Sequence, residues 1–267
     1  MTESEQRRGL AAAVQAAEAA GQLMARHRTR TKKVNASTQH DIKLDLDVRC
    51  QRVITRVLAS AFPEIPVLGE EASARTSDTA AARWVVDPID GTVNFAHGIP
   101  HAAVSIALQV RETPRSAGYA DGYATVAGVV LDPFCAEVFT ALRNGPARLN
   151  GRVIRVSRRP LSQSILSLGF SGRPGSVPSM VRDVGRLSSK VRKLRIMGSA
   201  ALALAYVAAG RFDAYLERGI RLWDIAAGGL IVESAGGVFG RKELGNDGLI
   251  ALLASNGPAG KALKTYT

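Results

Sequence analysis

One stretch of the sequence, residues 84–95, places two carboxylates on a tight turn. It opens with a short apolar run containing β-branched residues, which predicts a buried strand. Pro88 lacks an amide proton and is expected to end that strand, so that Asp87 occupies its last position. Asp90 follows after one apolar residue, and Gly91 allows the backbone to turn and to approach a ligand closely.

Thr92 is expected to begin a short helical turn directly after Gly91, with backbone N–H groups that can hold a phosphate. Asp87 and Asp90 would repel each other and would also repel that phosphate. A hard divalent cation removes both conflicts, because Mg²⁺ prefers oxygen ligands and bridges carboxylates to phosphates. The alternative interpretation is a polar loop whose aspartates cap a helix and bond local amides.

Three segments in one order favour the metal interpretation. Residues 87–95 resemble the first signature of the inositol monophosphatase family, and residues 223–237 resemble its second signature. Gly69-Glu70-Glu71 is similar to the acidic pair that precedes the first signature in those enzymes. The resemblance covers nearly the whole chain and implies a phosphomonoesterase that depends on Mg²⁺.

The resemblance also implies a set of functional residues. Two or three Mg²⁺ ions would be held by Glu70, Asp87, the backbone carbonyl of Ile89, Asp90 and Asp224. The backbone of Asp90-Gly91-Thr92 and the threonine hydroxyl would hold the phosphate. Glu70 and Thr92, the latter supported by Asp47, would orient a metal-bound water for in-line attack on phosphorus.

Substrate recognition is implied at two further positions, and the substrate itself stays open. Glu217, seven residues before Asp224, matches the family position that holds sugar hydroxyls, and Ala200 matches another substrate contact. Val93-Asn94-Phe95 follows the inositol monophosphatase pattern, which disfavours the nucleotide-bisphosphate branch. Fructose-1,6-bisphosphatase and histidinol-phosphatase activities also occur on this scaffold and remain alternatives.

The sequence departs from the family in the segment that holds a weak extra metal. Where the family has a Lys-Ser pair and a Val-Thr pair, this chain has Asn35-Ala36-Ser37 and Lys43-Leu44. His97 and His101 flank a loop close to the first signature and are interpreted as ordinary loop polarity. No cysteine or histidine is placed as a nucleophile.

Composition supports a globular chain with a sizeable core, since 46% of its 267 residues are hydrophobic. Cys50 and Cys135 are too few and too far apart for a disulfide framework or a zinc site, and both are interpreted as small core residues. Neither a signal peptide nor a membrane span is predicted. We therefore expect a cytoplasmic protein, and the resemblance implies a homodimer.

The charge balance raises a non-enzymatic alternative. The formal net charge is +12, and residues 26–33 form the densest basic run. Such a surface can bind nucleic acid, or it can steer anionic phosphate esters to an enzyme. Aromatic residues are scarce at 5% and no nucleic-acid motif is recognised, so we expect no specific nucleic-acid partner.

The pattern along the chain predicts two lobes of one domain covering residues 1–267, divided near residues 157 and 158. The first lobe is expected to be a largely antiparallel sheet with helices on one side, and the second a mixed-sheet α/β lobe. With the resemblance, this implies a layered αβαβα sandwich of the sugar-phosphatase type. Helices are predicted over residues 9–27, 45–61, 179–188, 199–209 and 223–234. Strands are predicted over residues 65–68, 84–86, 103–110, 126–131, 137–142, 153–156, 165–168, 191–196, 212–216 and 249–254. Loops are predicted over residues 29–39 and 72–82, and Asp41 precedes the second helix. Ser199 is expected to cap its helix, Asn150-Gly151 to form a turn, and the small residues at 226–229 to pack closely against the sheet behind the site.

Overall fold

The computed structural model describes residues 1–28, 34–37, 42–71, 80–112, 119–170, 176–245 and 247–263. Its α-helices are α1 (Glu3–His27), α2 (Asp45–Ala61), α3 (Thr92–Ala96), α4 (Ser176–Ser188), α5 (Ala200–Ala208), α6 (Leu222–Ser234) and α7 (Pro258–Leu263). Most of the predicted basic loop at 29–39 and of the predicted loop at 72–82, together with Asp41, lies outside the described residues. Among the helices described, none is both long and apolar enough to cross a membrane.

The strands form a hairpin and two larger sheets. They are β1 (Val34–Ser37), β2 (Ile42–Leu44), β3 (Val67–Gly69), β4 (Ala82–Asp90), β5 (Ala103–Arg111), β6 (Tyr123–Asp132), β7 (Glu137–Leu142), β8 (Arg148–Leu149), β9 (Arg152–Val153), β10 (Ile165–Leu168), β11 (Lys193–Arg195), β12 (Ala214–Ile220), β13 (Val238–Leu244) and β14 (Leu249–Ser255). The first sheet runs from β3 to β9 in sequence order and is antiparallel except for the parallel β3–β4 pair. The second sheet has the order β11-β10-β12-β14-β13 and mixes parallel with antiparallel pairs.

The described residues form five layers that are packed together through three hydrophobic cores. One core joins α1 and α2 to the first sheet, and a second joins the opposite face of that sheet to α5, α6 and the second sheet. The third joins the far face of the second sheet to α4 and α7. Along β4 the side chains alternate accordingly, since Trp84 and Val86 pack in the first core and Val85 packs in the second. The predicted αβαβα sandwich is confirmed.

The prediction that helices cover one side of the first sheet was incomplete. Helices α1 and α2 cover one face, and helices α5 and α6 from the second half of the chain cover the other. Strand β5 is therefore buried along nearly its whole length, where the sequence predicted an alternating strand. A sheet covered on both faces needs apolar residues at successive positions, so alternation is lost. The boundary between two lobes of one domain stays a prediction.

Small residues bring α6 close to its neighbours, as the sequence predicted for the sheet behind the site. A Cβ on Gly128 of β6 would lie 2.9 Å from the carbonyl oxygen of Ala227. On other sides of the helix, a Cβ on Gly228 would meet Leu204 of α5 at 2.7 Å, and one on Gly229 would meet Phe239 of β13 at 2.5 Å. The close packing places the first turn of α6 beside the end of β4.

Local signals predicted several boundaries correctly. Helix α2 has the predicted bounds, and the Ser199 hydroxyl caps α5 by accepting from the Leu202 N–H at 3.3 Å. The Asn150-Gly151 turn has the positive φ angles, 47° and 79°, that such hairpin turns require. Helix α1 begins at Glu3, earlier than predicted, because Thr2 is its N-cap and forms a capping box with Glu5.

Other predictions were wrong. Pro88 does not end its strand, because β4 continues to Asp90 through a bulge. Asp87 pairs with Ser105 and Asp90 pairs with Ala103, so β4 has one residue more than β5 between these pairs. Strand β13 was not predicted, since it is an edge strand with exposed polar positions that give no apolar pattern. The short strands β1, β2 and β8 and helix α7 were also not predicted, and β1 lies in the segment that was expected to be a loop. Cys135 was interpreted as a core residue, but it is exposed.

Candidate metal and phosphate site

Two elements bring three aspartates together. The bulge at the end of β4 presents both Asp87 and Asp90, and the first turn of α6 presents Asp224. One carboxylate oxygen from each of the three lies within 4.8 Å of the others. Asp87 and Asp90 are buried and Asp224 is half-buried. Residues far apart in sequence thus converge on one point, as a shared ligand would require.

Burial and mutual repulsion shape the titration of these groups. Burial, followed by the charges of Glu70, Asp90 and Asp224, raises the pKa of Asp87 well above its usual range. Burial and the neighbouring carboxylates raise the pKa of Asp224 in the same sense. Among the described residues, no lysine or arginine forms an ion pair with any of the three aspartates. The cluster therefore has an excess of negative charge that the described side chains leave uncompensated.

Asp90 differs because the N-terminus of α5 binds it. Its carboxylate accepts from the Ser199 hydroxyl, from the Ala200 N–H at 3.2 Å and from the Ala201 N–H at 2.8 Å. Burial raises the pKa of Asp90 to about 6, and these hydrogen bonds oppose part of that rise. The Ala200 backbone, predicted as a substrate contact, thus lies within reach of the site and donates to Asp90.

The turn after Asp90 has the geometry that the sequence predicted. Gly91 has φ 87°, in the left-handed region that glycine adopts without strain. Helix α3 then begins at Thr92, whose hydroxyl donates to the Ile89 carbonyl at 2.8 Å. The Ile89 N–H donates to the Asp87 carboxylate at 3.0 Å. These bonds hold the turn that carries the predicted phosphate contacts.

The cluster opens into a cleft of about 660 Å³. Its lining includes Glu70, Gly91, Thr92, Tyr215, Glu217 and Asp224. Burial raises the pKa of Glu217 to about 7, the Tyr215 hydroxyl lowers it by donating to the carboxylate, and the Asp90 charge raises it. Gly169 makes room for this carboxylate, because a Cβ there would lie 1.8 Å from the Glu217 Oε2.

Asp47 and the two histidines lie around the site in different ways. The Asp47 carboxylate accepts from the Leu44 N–H at 2.7 Å and so caps α2, while its predicted support of Thr92 stays a prediction. His97 is exposed, and His101 is buried with its pKa lowered by burial. Neither histidine lines the cleft.

Several residues with a place in this geometry had no predicted role in it. Ser199 was predicted only as a helix cap, although its hydroxyl also binds Asp90. Tyr215 lies two residues before Glu217 on β12, so strand alternation would have placed both on one face. Asn94 joins the two halves of the site through its side-chain amide. One of its partners, Met197, lies 103 positions away, and no local pattern indicated this contact.

The donor set fits a hard divalent cation. Asp87, Asp90 and Asp224 offer only carboxylate oxygens, and the described residues offer no nitrogen or sulfur ligand in this group. Such ligands suit Mg²⁺, Ca²⁺ or Mn²⁺ and disfavour metals that prefer thiolate or imidazole. A cation here would also offset the repulsion that raises the carboxylate pKa values.

Comparisons with known proteins agree with this geometry. Residues 5–246 match the model of the inositol monophosphatase family. The chain is 41% identical over 228 residues to "Nus factor SuhB" of Xylella fastidiosa, covering 84% of this chain and 78% of that protein. It is 39% identical over 229 residues to "Inositol-1-monophosphatase" of Rhizobium meliloti, covering 84% and 82%.

Solved structures show the same fold. The extragenic suppressor protein suhB of Bartonella henselae matches with a TM-score of 0.84 and 35% identity, covering 97% of each chain. The IMPase of Thermotoga maritima matches with a TM-score of 0.80 and 31% identity, covering 95% of this chain and 94% of that one. The chain therefore belongs to the inositol monophosphatase family.

Proposed function

We propose that the protein is a Mg²⁺-dependent phosphomonoesterase that hydrolyses inositol monophosphate or a related sugar or polyol phosphate. The observation that carries this proposal is the cluster of Asp87, Asp90 and Asp224, within 4.8 Å of one another and without an ion pair among the described residues. Glu70 lines the same cleft, and the glycine turn at Gly91 follows the cluster directly.

In this proposal the residues share three tasks, and Glu70, Asp90 and Thr92 each serve in two of them. Glu70, Asp87, the Ile89 carbonyl, Asp90 and Asp224 hold two or three Mg²⁺ ions. When bound, Mg²⁺ activates water and neutralises charge on the phosphate. The backbone of Asp90-Gly91-Thr92 and the threonine hydroxyl would hold the phosphate, while Glu70 and Thr92, supported by Asp47, would orient the attacking water.

The reaction is an in-line displacement at phosphorus. The water oxygen loses a proton and forms a new bond to phosphorus as the bond to the polyol oxygen breaks. The released alkoxide takes up one proton in turn, so that the products are the free polyol and inorganic phosphate. This route needs no covalent intermediate. In keeping with that, the described lining of the cleft contains neither cysteine nor histidine.

The polyol part of the substrate is assigned to the second-sheet side of the cleft. Glu217 reaches the cleft from β12 and can accept hydrogen bonds from hydroxyl groups, and Ala200 lies at the adjoining end of α5. The relative from Rhizobium meliloti that is named an inositol-1-monophosphatase supports inositol monophosphate as the first substrate to test. Fructose 1,6-bisphosphate and histidinol phosphate are the alternatives.

The experiment is a phosphate-release assay on the purified protein with Mg²⁺ and with EDTA. The substrates are inositol 1-phosphate, fructose 1,6-bisphosphate, histidinol phosphate and p-nitrophenyl phosphate. We expect turnover of at least inositol 1-phosphate with Mg²⁺ and none with EDTA. Turnover that persists in EDTA, or no turnover of any ester, would contradict the proposal.

We further propose that the protein is a cytoplasmic homodimer. Cell fractionation tests the location, and light scattering on the purified protein tests the oligomeric state.

A second candidate function concerns anionic partners. Several relatives are named "Nus factor SuhB", and the chain has a net charge of +12. Five exposed cations near α4 and β11 form no ion pair within the described part of the chain: Arg182, Arg186, Lys190, Arg192 and Lys193. We propose only weak, non-specific binding of nucleic acid there, since phosphate contacts alone carry no sequence information.

Fluorescence anisotropy with unrelated RNA sequences tests this second candidate. The expected affinity is similar for all RNA sequences and falls steeply between about 50 and 200 mM salt. Binding releases counterions from the RNA phosphates, and this release becomes less favourable as the salt concentration rises. Tight binding of one sequence that persists at physiological salt would favour a specific nucleic-acid function instead.

A further inference from the structure

The side chain of Asn94 joins the turn of the first sheet to the segment that leads into α5. Its Nδ2 donates to the His101 carbonyl at 2.9 Å and to the Met197 carbonyl at 2.8 Å, with a longer contact of 3.3 Å to the Gly198 carbonyl. An amide has two donor hydrogens, so the two shorter contacts satisfy them both. The Asn94 amide thus connects the nearby His101 carbonyl to the Met197 and Gly198 carbonyls, which lie 103 and 104 residues away.

The segment that accepts these bonds, Met197-Gly198, is directly followed by residues that bind Asp90. Ser199 follows Gly198, and the hydroxyl of Ser199 together with the first amides of α5 binds the Asp90 carboxylate. The donor is also close to Asp90, since Asn94 lies on α3, which begins two residues after Asp90. Asn94 therefore fixes the separation between Asp90 and the donors that orient it.

Close packing leaves this junction little freedom. A Cβ on Gly91 would lie 3.0 Å from both the Gly198 and the His101 carbonyl oxygens. Gly198 has φ 76°, and a Cβ there would lie 3.0 Å from the Asn94 Nδ2. Two glycines approach each other around the amide, so a change of side chain at Asn94 or Gly198 must move the backbone or break the contact.

We propose that Asn94 is a positioning residue that sets the orientation of the Asp90 carboxylate toward the divalent cation. This inference rests on the proposed function, in which Asp90 is a metal ligand. Without the amide, the α5 N-terminus can move away from the turn, and Asp90 loses the donors that orient its oxygens. Metal affinity then falls.

The competing explanation is that Asn94 only stabilises the packing of α5. The molecule supplies a matched control at the other end of this helix. Arg211 lies shortly after the last residue of α5 and forms an ion pair with Glu137 of β7. This pair also joins the first sheet to the α5 region, and neither residue lines the cleft. Glu137→Gln therefore removes a contact of the segment that follows α5, and this contact does not involve Asp90.

Calorimetric titration with Mg²⁺ alone, together with thermal melts, distinguishes the two explanations. The variants are Asn94→Ala, Asn94→Ser, Gly198→Ala and Glu137→Gln. We expect Asn94→Ala to raise the Kd for Mg²⁺ at least tenfold, about 1.4 kcal/mol, and to change this Kd more than it changes kcat at saturating Mg²⁺. Asn94→Ser keeps one donor and should be intermediate. Gly198→Ala should weaken Mg²⁺ binding from the opposite side of the contact.

Glu137→Gln should lower the melting temperature while its Kd for Mg²⁺ stays within twofold of wild type. If Asn94→Ala does not fold, Asn94→Ser and Gly198→Ala decide the question. Wild-type Mg²⁺ affinity in the Asn94 and Gly198 variants, or an equal loss of affinity in Glu137→Gln, would overturn the positioning role. A wild-type protein that binds no Mg²⁺ would instead overturn the proposed function on which this role rests.

Discussion

Buried aspartates occur in two regions of this molecule, and their surroundings differ. Asp213, which precedes β12, is fully buried. Its carboxylate accepts from the Arg159 Nε at 2.9 Å, the Ile165 N–H at 2.7 Å and the Ser157 hydroxyl. The Asn256 side chain adds a longer contact at 3.4 Å. The charge of Asp213 is thus paired with a cation and with neutral donors that the chain itself supplies.

The cleft aspartates have no such cation within the described residues. Asp87 faces Glu70, Asp90 and Asp224, and all three of these charges raise its pKa. Burying unpaired carboxylates costs stability, so a chain that keeps them implies a ligand that compensates for them. Burial of an acidic side chain alone therefore does not indicate function. A buried carboxylate whose charged neighbours, among the described residues, are other carboxylates does indicate a functional site.

The largest expected effect is on catalysis. Asp90→Asn should lower kcat for inositol 1-phosphate at saturating Mg²⁺ about 1,000-fold, roughly 4 kcal/mol. The change removes a metal ligand. It also places an amide NH₂ group, which can only donate, where the donors at the N-terminus of α5 need an acceptor. Steady-state kinetics measure this. A variant that keeps more than about a tenth of the wild-type kcat would remove Asp90 from the metal site.

Asp213→Asn should have the opposite profile. It breaks the ion pair with Arg159, so we expect a loss of about 3 kcal/mol in the free energy of unfolding, measured by urea denaturation. Arg159 is partly exposed and can be hydrated after the change, which keeps the loss at the lower end of the range for buried pairs. The Kd for Mg²⁺ should stay unchanged. A weakened Kd would mean that the two regions are coupled.

The pH dependence of the metal-free protein should also distinguish the regions. Asp90, with a pKa of about 6, and Glu217, with a pKa of about 7, bind protons more tightly when folded than when unfolded. Their contribution to stability is therefore present at low pH and is lost as the pH rises through about 6 and about 7.

Melts of wild type and of Asp90→Asn between pH 5 and 8 measure the contribution of Asp90 together with the pKa shifts that its charge causes in Asp87, Asp224 and Glu217. His101 has a lowered pKa and acts in the opposite sense, but it is common to both proteins. We expect the wild type to lose on the order of 1.5 kcal/mol more than the variant over this range. Parallel pH profiles of the two proteins would show that the surroundings do not raise the pKa of Asp90.

The smallest expected effect is on substrate recognition. Glu217→Gln should raise KM for inositol 1-phosphate about fivefold, roughly 1 kcal/mol, and should leave KM for p-nitrophenyl phosphate nearly unchanged. Glu217 accepts from Tyr215 and also faces the cleft, and of the two substrates inositol 1-phosphate alone carries free hydroxyl groups that can donate to its carboxylate. Equal changes for both substrates would assign Glu217 a structural role.

The sequence predicted what is local and missed what depends on distant neighbours. The turn at Gly91, the cap at Ser199 and the bounds of α2 follow from short-range rules, and the structure confirms them. The bulge at Pro88 depends on the pairing of β4 with β5, which no local pattern shows. The contacts of Asp90 with α5 and of Asn94 with Met197 join residues about a hundred positions apart. The signature resemblance grouped the three aspartates, but only the fold shows the uncompensated charge around them.

Thermal melts across a Mg²⁺ titration of wild type, Asp87→Asn and Asp213→Asn show whether the three aspartates hold a divalent cation. Asp87→Asn can keep the bond from the Ile89 N–H through its amide oxygen while it removes a repelling charge. We expect Mg²⁺ to stabilise wild type and Asp213→Asn, by about 2.7 kcal/mol per site at 100 times Kd. Metal-free Asp87→Asn should melt above metal-free wild type and should respond little to Mg²⁺. An Asp87→Asn protein that melts below wild type without metal and keeps the full Mg²⁺ response would show that these carboxylates do not form a metal site.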